Sequence, residues 1–296
     1  MLVDRSERGK LAISGNEAKI ALNGLVTNDV ESLETGSGLY AAMLTPKGKM
    51  LGDLRVLDVG GELLLDVERV ALQPVFDVVR HGLVGFGAEL HKRTLQCGLL
   101  SLIGPGAGEI ARDLPACEHA HMPTVIDAVA VRVVRTDLGV DVLCDASATH
   151  QLIAALVTAG AVIDTAGHAE LARVESGRPR YGVDLDDSVI PQEAGLNERA
   201  VSFTKGCYIG QETVARLFYR GKTNRHLRGL RLSEPAQPGA PLTLGGREVG
   251  RLTSAVQSSR LGPIGLAIVR REAEPGAVLA VGDGPATAEV VALPFE

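Results

Sequence analysis

Two hydrophobic periods take turns along the first 95 residues. Apolar side chains fall at alternate positions in KLAIS (10–14), while LGDLRVLDV and ELLLDV flank Gly60-Gly61, a pattern that predicts strands joined by a hairpin. NEAKIALNG (16–24) has helical spacing with Gly24 as a stop, Pro74 opens a helix in PVFDVVRHG, and FGAELHKRT closes the run as a strand. The order then repeats. LLSLIG (99–104), a helix in GAGEIARDL, the pair AVAVRVVRT and VDVLCD around Leu138-Gly139, the helix THQLIAALVTAG and a short strand AVID follow in turn. Two successive β-α-β-β-α-β runs predict an α+β protein with two ferredoxin-like units, each burying one sheet face under two helices. The repetition is architectural, since the two halves share no sequence repeat.

A helix from His168 to Gly177 leads into RPRYGVDLDDSVIPQEAGLN, rich in Pro, Gly and Asp and too long for a simple turn. Ordered loops of that length tend to serve sites. IGQETVARLFYRG (209–221) reads as a helix with Val214, Leu217 and Phe218 on one side and Gly221 as its stop. Beyond Arg225, short strand-like runs separated by EPAQPGAP, GG, LGP and EPG predict a small β-barrel. The expected domains are 1–96, 97–222 with the loop and helix just described, and 223–296.

Charge changes this picture locally. From Arg199 to Arg231, eight basic residues against one acid give +7, which leaves −13 for the rest of a chain of net charge −6. That asymmetry points to an anionic ligand or partner surface, or to a solvated helix face, and not to a coat for nucleic acid. Aromatic residues are 3% of the chain and Trp is absent, so platforms for stacking bases are scarce. No apolar run is long enough to span a bilayer and MLVDRSERGK has no signal-peptide core, so a cytoplasmic protein is expected. Cys97, Cys117, Cys144 and Cys207 form no C-x-x-C pair, which argues against a zinc site, a disulfide framework or a stably bound metal cluster.

Candidate chemistry is sparse. GPGAGE (104–109) lacks the full spacing of a phosphate loop and reads as a strand-to-helix turn. Cys207 in KGCYIGQE (205–212) sits near a helix start and two residues from Lys205, a setting that stabilises a thiolate. A small buried hydrophobe is an equally good reading of a lone cysteine. Asp53, within an apolar strand, and Asp141, opening another, can hold an amino-pyrimidine edge or move a proton, or can be plain hairpin-edge residues.

KGCYIGQETVAR followed by Arg220-Gly221 strongly resembles the signature of the YgfZ family, folate-binding relatives of the glycine-cleavage T-protein, an aminomethyltransferase. LVTNDVESLETGSGLYAAMLTPKGKMLGDLRV (25–56) and RVESGRPRYGVDLDDSVIPQEAGLN (173–197) extend the resemblance over nearly the whole chain. It implies a three-domain cloverleaf around a central opening for tetrahydrofolate or a derivative, polyglutamylated forms included, with the barrel at the C-terminus. It further implies that Asp53 stands near the folate nitrogen with Gly52 in place of a first aspartate. Asp141 replaces a pterin-binding glutamate, and Tyr40 joins the two in the cofactor site. Ala169 falls where the T-protein has a folate-site arginine, and Arg8 where its Ser-His-Met motif ends. Cys207 becomes the acting thiol, supported by Lys205, Gly206, Tyr208, Gly210, Gln211, Glu212 and Arg216. The role implied is assembly or repair of iron–sulfur clusters, with client or assembly proteins as partners and no nucleic acid or membrane. The alternatives are a folate-dependent aminomethyltransferase or other one-carbon transferase, and a non-catalytic scaffold.

Overall fold

The computed structural model describes residues 1–111, 115–165 and 167–295. Its first unit runs β1 (Leu2–Asp4), β2 (Gly9–Ser14), α1 (Ala18–Asn23), β3 (Gly38–Leu44), β4 (Met50–Asp58), β5 (Glu62–Val67), α2 (Leu72–Gly82) and β6 (Glu89–Lys92). Apart from β1, these strands form one antiparallel sheet in the order β3-β4-β5-β2-β6. The last four are the ferredoxin-like set that the alternating pattern predicts, and β3 is an additional edge strand.

The second unit contains β7 (Cys97–Ile103), α3 (Ala107–Ala111), β8 (His121–Ile126), β9 (Val129–Arg135), β10 (Gly139–Asp145) and α4 (Thr149–Thr158). GPGAGE is a turn into the short α3, and the last three residues of the expected helix GAGEIARDL, 112–114, lie outside the described residues. The expected final strand AVID is corrected. The sheet order is β1-β7-β10-β9-β8, so the N-terminal β1 takes the edge where that strand would lie. Ile163 makes a single parallel bridge to Leu2, and AVID contributes two backbone bonds through Val162 O and Asp164 N. Residues 2–4 of the segment 1–96 therefore belong to the second sheet.

Each sheet is covered on both faces, which explains runs too apolar for a half-exposed strand. Leu11, Ile13, Leu54, Val56, Leu63 and Leu65 of the first sheet pack with Leu22 of α1 and Val75 and Val79 of α2. In the second, Leu100, Leu102, Val131, Val133, Val140 and Val142 pack with Leu152 and Leu156 of α4. The opposite faces meet each other through Ala12, Leu57, Leu64, Leu99, Val134 and Leu143. Each large aliphatic side chain buried there is worth about 1.5–3 kcal/mol, enough to hold the sheets face to face beside charged groups.

The C-terminal part is a closed barrel of β11 (Arg225–Leu232), β12 (Pro241–Leu244), β13 (Arg247–Ser258), β14 (Gly262–Arg270), β15 (Val278–Val281) and β16 (Thr287–Val291). Helix α5 (His168–Glu175) joins it to the sheets: Val174 packs with Leu227, Ile264 and Leu266. The long irregular segment, with α6 (Asn197–Ala200), folds back onto the first sheet, where Leu185, Val189, Leu196 and Tyr208 pack with Ala42, Leu44 and Met50. Helix α7 (Gln211–Arg220) seats Val214 in the same cluster. Its expected apolar side is only partly buried, because Phe218 lies 47% exposed and stacks on Phe203. No helix among the described residues is long and apolar enough to cross a membrane.

Candidate functional site

The period of two that sends Leu54 and Val56 toward α2 sends Asp53 and Arg55 to the opposite face of β4, where the two sheets meet. The same alternation places Asp66 on β5, Ser101 on β7 and Asp141 on β10 on those facing surfaces. All five are buried, and all line a cavity of about 460 Å³. Arg8, Tyr40, His119, Ala169, Arg173 and Arg199 also line it. Gly52 faces the other way. A Cβ there would stand 2.8 Å from the Ala71 Cβ, so an aspartate at 52 would run into the helical side of the sheet.

A chain of ion pairs ties the two sheets together in the cavity floor. Arg8 Nε donates to Asp66 Oδ1 at 2.7 Å and its Nη1 pairs with Glu68; Arg55 Nη2 donates to Asp66 Oδ2 at 3.0 Å. The same Arg55 Nη2 lies 2.7 Å from Asp141 Oδ2, while Ser101 Oγ donates to Asp141 Oδ1 at 2.6 Å. Burial opposes the charge on Asp66, but Arg8 and Arg55 win and hold it well below the usual carboxylate range. Burial likewise opposes the charge on Arg8, and Asp66 and Glu68 more than restore it. Arg8 and Asp66 are therefore an ionised pair.

Asp53 stands apart from this chain. Burial pushes its carboxyl up to about 6, against the opposing pull of a hydrogen bond from Tyr40 and the charge of Arg8. Tyr40 Oη donates to Asp53 Oδ2 at 2.5 Å, and the Tyr40 ring stacks on His119 with Arg199 5.6 Å away over its face. Burial and the charges of Arg55 and Arg199 lower His119 to about 4, so its ring is neutral near pH 7. A carboxyl that titrates close to neutrality inside a cavity can accept or give up a proton in ordinary conditions.

The Cys motif lies elsewhere. Cys207 is exposed and is not among the cavity residues, so Asp53, Asp141 and Tyr40 are brought together while Cys207 is left apart from them. Lys205 offers the thiol no free ammonium: its Nζ donates to the carbonyls of Asn23, Val26 and Asn28, closing the end of α1. Tyr208 is buried in the cluster against β3 and β4. Gly210 has φ +85°, and a Cβ on it would stand 2.6 Å from Thr45 O in the β3–β4 turn. Thus Lys205, Tyr208 and Gly210 seat the loop. A Cβ on Gly206 would meet nothing within 4 Å, Gln211 opens α7 half-buried, and Glu212 and Arg216 are exposed. The buried-hydrophobe alternative does not fit Cys207; it fits Cys144, whereas Cys97 is half-buried and Cys117 exposed.

Of the eight bases in the +7 segment, only Arg199 lines the cavity. Sequence reasoning missed Arg55, Asp66, Ser101 and His119. For the first two a signal existed: Arg55 shares a strand face with Asp53, and Asp66 is a charge inside the apolar run ELLLDV.

Comparison with known proteins agrees with this architecture. Residues 1–205 match the GCVT N-terminal domain, and residues 225–295 match the glycine cleavage T-protein C-terminal barrel domain. An aminomethyltransferase of Rubrobacter xylanophilus is 31% identical, over 99% of this chain and 82% of its own. A putative chloroplastic transferase of Arabidopsis thaliana is 28% identical, over 96% of this chain and 68% of its own. The crystal structure of glycine cleavage system aminomethyltransferase T from Bartonella henselae superposes with a TM-score of 0.89 at 22% identity, covering 100% of this chain and 86% of that one, a likeness of fold. With both domain models matched in order over the two sheets and the barrel, the chain belongs to the glycine-cleavage T-protein family.

Proposed function

We propose that this chain is a YgfZ-type member of its family that binds tetrahydrofolate or a derivative between the two sheets and serves iron–sulfur cluster assembly or repair through Cys207. The observation that carries the second half is the separation of the motif. Lys205, Tyr208 and Gly210 seat the loop, and the thiol they leave exposed lies off the cavity, where a partner protein can reach it.

The donor set of the cavity fits the ligand. A pterin presents N–H donors along its amino-pyrimidine edge, and Asp53 and Asp141 supply carboxylate acceptors whose oxygens each keep a second lone pair. Arg55 Nε and His119 Nδ1, in two further residues that line the cavity, are buried without a partner. When bound, tetrahydrofolate supplies the nitrogens that carry a one-carbon unit. The Asp53 carboxyl holds or releases a proton beside it, and Tyr40 orients that carboxyl through the hydrogen bond to Oδ2.

Replacing Cys207 by Ala in cells tests the role of the thiol, read as activity of a cluster-dependent enzyme under oxidative stress. Loss of rescue with normal protein level is expected; full rescue removes Cys207 from the mechanism. One observation favours a second reading, a folate-dependent aminomethyltransferase: the Asp53 carboxyl near 6 suits proton transfer at the ligand. Formation of methylene-tetrahydrofolate from an aminomethyl donor, abolished in Asp53→Asn, supports that reading, and absence of turnover alongside intact folate binding rejects it.

A further inference from the structure

The arginines of the cavity fall into two sets. Arg8, Arg55 and Arg173 have side chains 11%, 8% and 12% exposed and give their N–H groups to carboxylates of the floor and wall. Arg5, Arg178 and Arg180 are 35%, 37% and 41% exposed at the rim, and their pairing is loose or partial. Arg178 spends only its Nε, on Asp137 at 2.6 Å; Arg180 stands 3.5 Å from Glu170 and Arg5 3.7 Å from Glu68. A guanidinium has five N–H donors, so most of this capacity is unspent. Arg199, also at the rim, is shared between Glu118 and Asp137.

A volume of about 460 Å³ suits one drug-sized molecule, so any chain attached to the bound ligand must run out over the rim. Resting on the folate reading above, we infer that Arg178 and Arg180, on either side of Pro179, form a subsite for the poly-γ-glutamate extension of a folate. The added carboxylates pair with the unspent guanidinium donors, in competition with Asp137 and Glu170. Seven of the eight bases of the +7 segment lie off the cavity, so that segment does not supply this subsite.

Calorimetry under reducing conditions with tetrahydrofolate monoglutamate and triglutamate tests the subsite. The triglutamate is expected to bind about three- to tenfold tighter, the scale of one or two half-exposed ion pairs. That gain should vanish near 0.5 M salt, where the screening length falls to roughly 4 Å. In Arg178→Gln/Arg180→Gln the gain disappears while the monoglutamate affinity stays within about threefold, and in Arg220→Gln/Lys222→Gln the gain persists. Equal affinity for the two ligands in the unaltered protein, a gain that survives the rim substitutions, or one lost with Arg220 and Lys222 overturns the tail subsite. No saturable heat with either ligand overturns the folate reading, and the subsite with it.

Discussion

Substituting Asp53 by Asn should make the protein more stable at neutral pH, and by an amount that depends on pH. Burial raises the folded-state carboxyl to about 6 from an ordinary 3.8, so the folded state binds this proton more tightly than the unfolded chain does. The contribution of the group is fully favourable below pH 3.8 and is lost as pH rises through 6. At about 1.4 kcal/mol per pKa unit, the loss amounts to about 3 kcal/mol. Asn cannot ionise, and its amide oxygen can still accept from Tyr40. Urea unfolding of the two proteins between pH 4 and 8 should therefore give a stability difference that moves in favour of Asp53→Asn by about 2 kcal/mol between pH 4 and 6.5, then stays nearly level. Taking the difference between the proteins removes the titration of Asp66 and the other carboxylates, which both share. A difference that is flat with pH, or one that moves toward the unaltered protein as pH rises, would refute the assignment of a desolvated, near-neutral carboxyl at this position.

Tyr40→Phe deletes the hydrogen bond that favours the ionised form of Asp53, so the Asp53 carboxyl should titrate above 6, read by carbon NMR of the labelled carboxyl. Gly210→Ala forces a side chain into a left-handed backbone 2.6 Å from Thr45 O and should cost about 2–4 kcal/mol in thermal or chemical unfolding. Lys205→Met strands the carbonyls of Asn23, Val26 and Asn28 and should cost about 2–4 kcal/mol by the same measurement; an unchanged midpoint would show that Lys205 does not hold the loop.

Alternation was the most informative signal in the chain. It located β2, β4, β5, β7, β9 and β10, and once Asp53 is placed on β4 the period of two also assigns Arg55 to the same face. Strand β1 escaped because three residues carry no period, and its partner β7 lies in the other unit. The cavity was equally hidden, since it exists only where two sheets from distant segments face each other. The motif around Cys207 was legible as a unit but not by role. Nothing local distinguishes Lys205 as the closure of α1 from Lys205 as a neighbour to a thiolate; the carbonyls that decide it are supplied by residues 23–28.

The placement of β1 also orders the folding of the molecule. The first sheet can close using only residues 9–92, whereas the edge of the second requires contacts such as Met1 with Ile103, 102 residues apart, and Leu2 with Ile163. Loop closure grows costlier with span, by about 0.6 kcal/mol per doubling, and long-range pairing slows folding. Each unit should thus assemble early on its own shorter-range pairings, residues 9–92 for the first sheet and 97–145 for β7-β10-β9-β8, with β1 zipped onto β7 late. Arg55 on the first sheet meets Asp141 on β10 of the second, so the cavity floor is completed only when the two sheets dock.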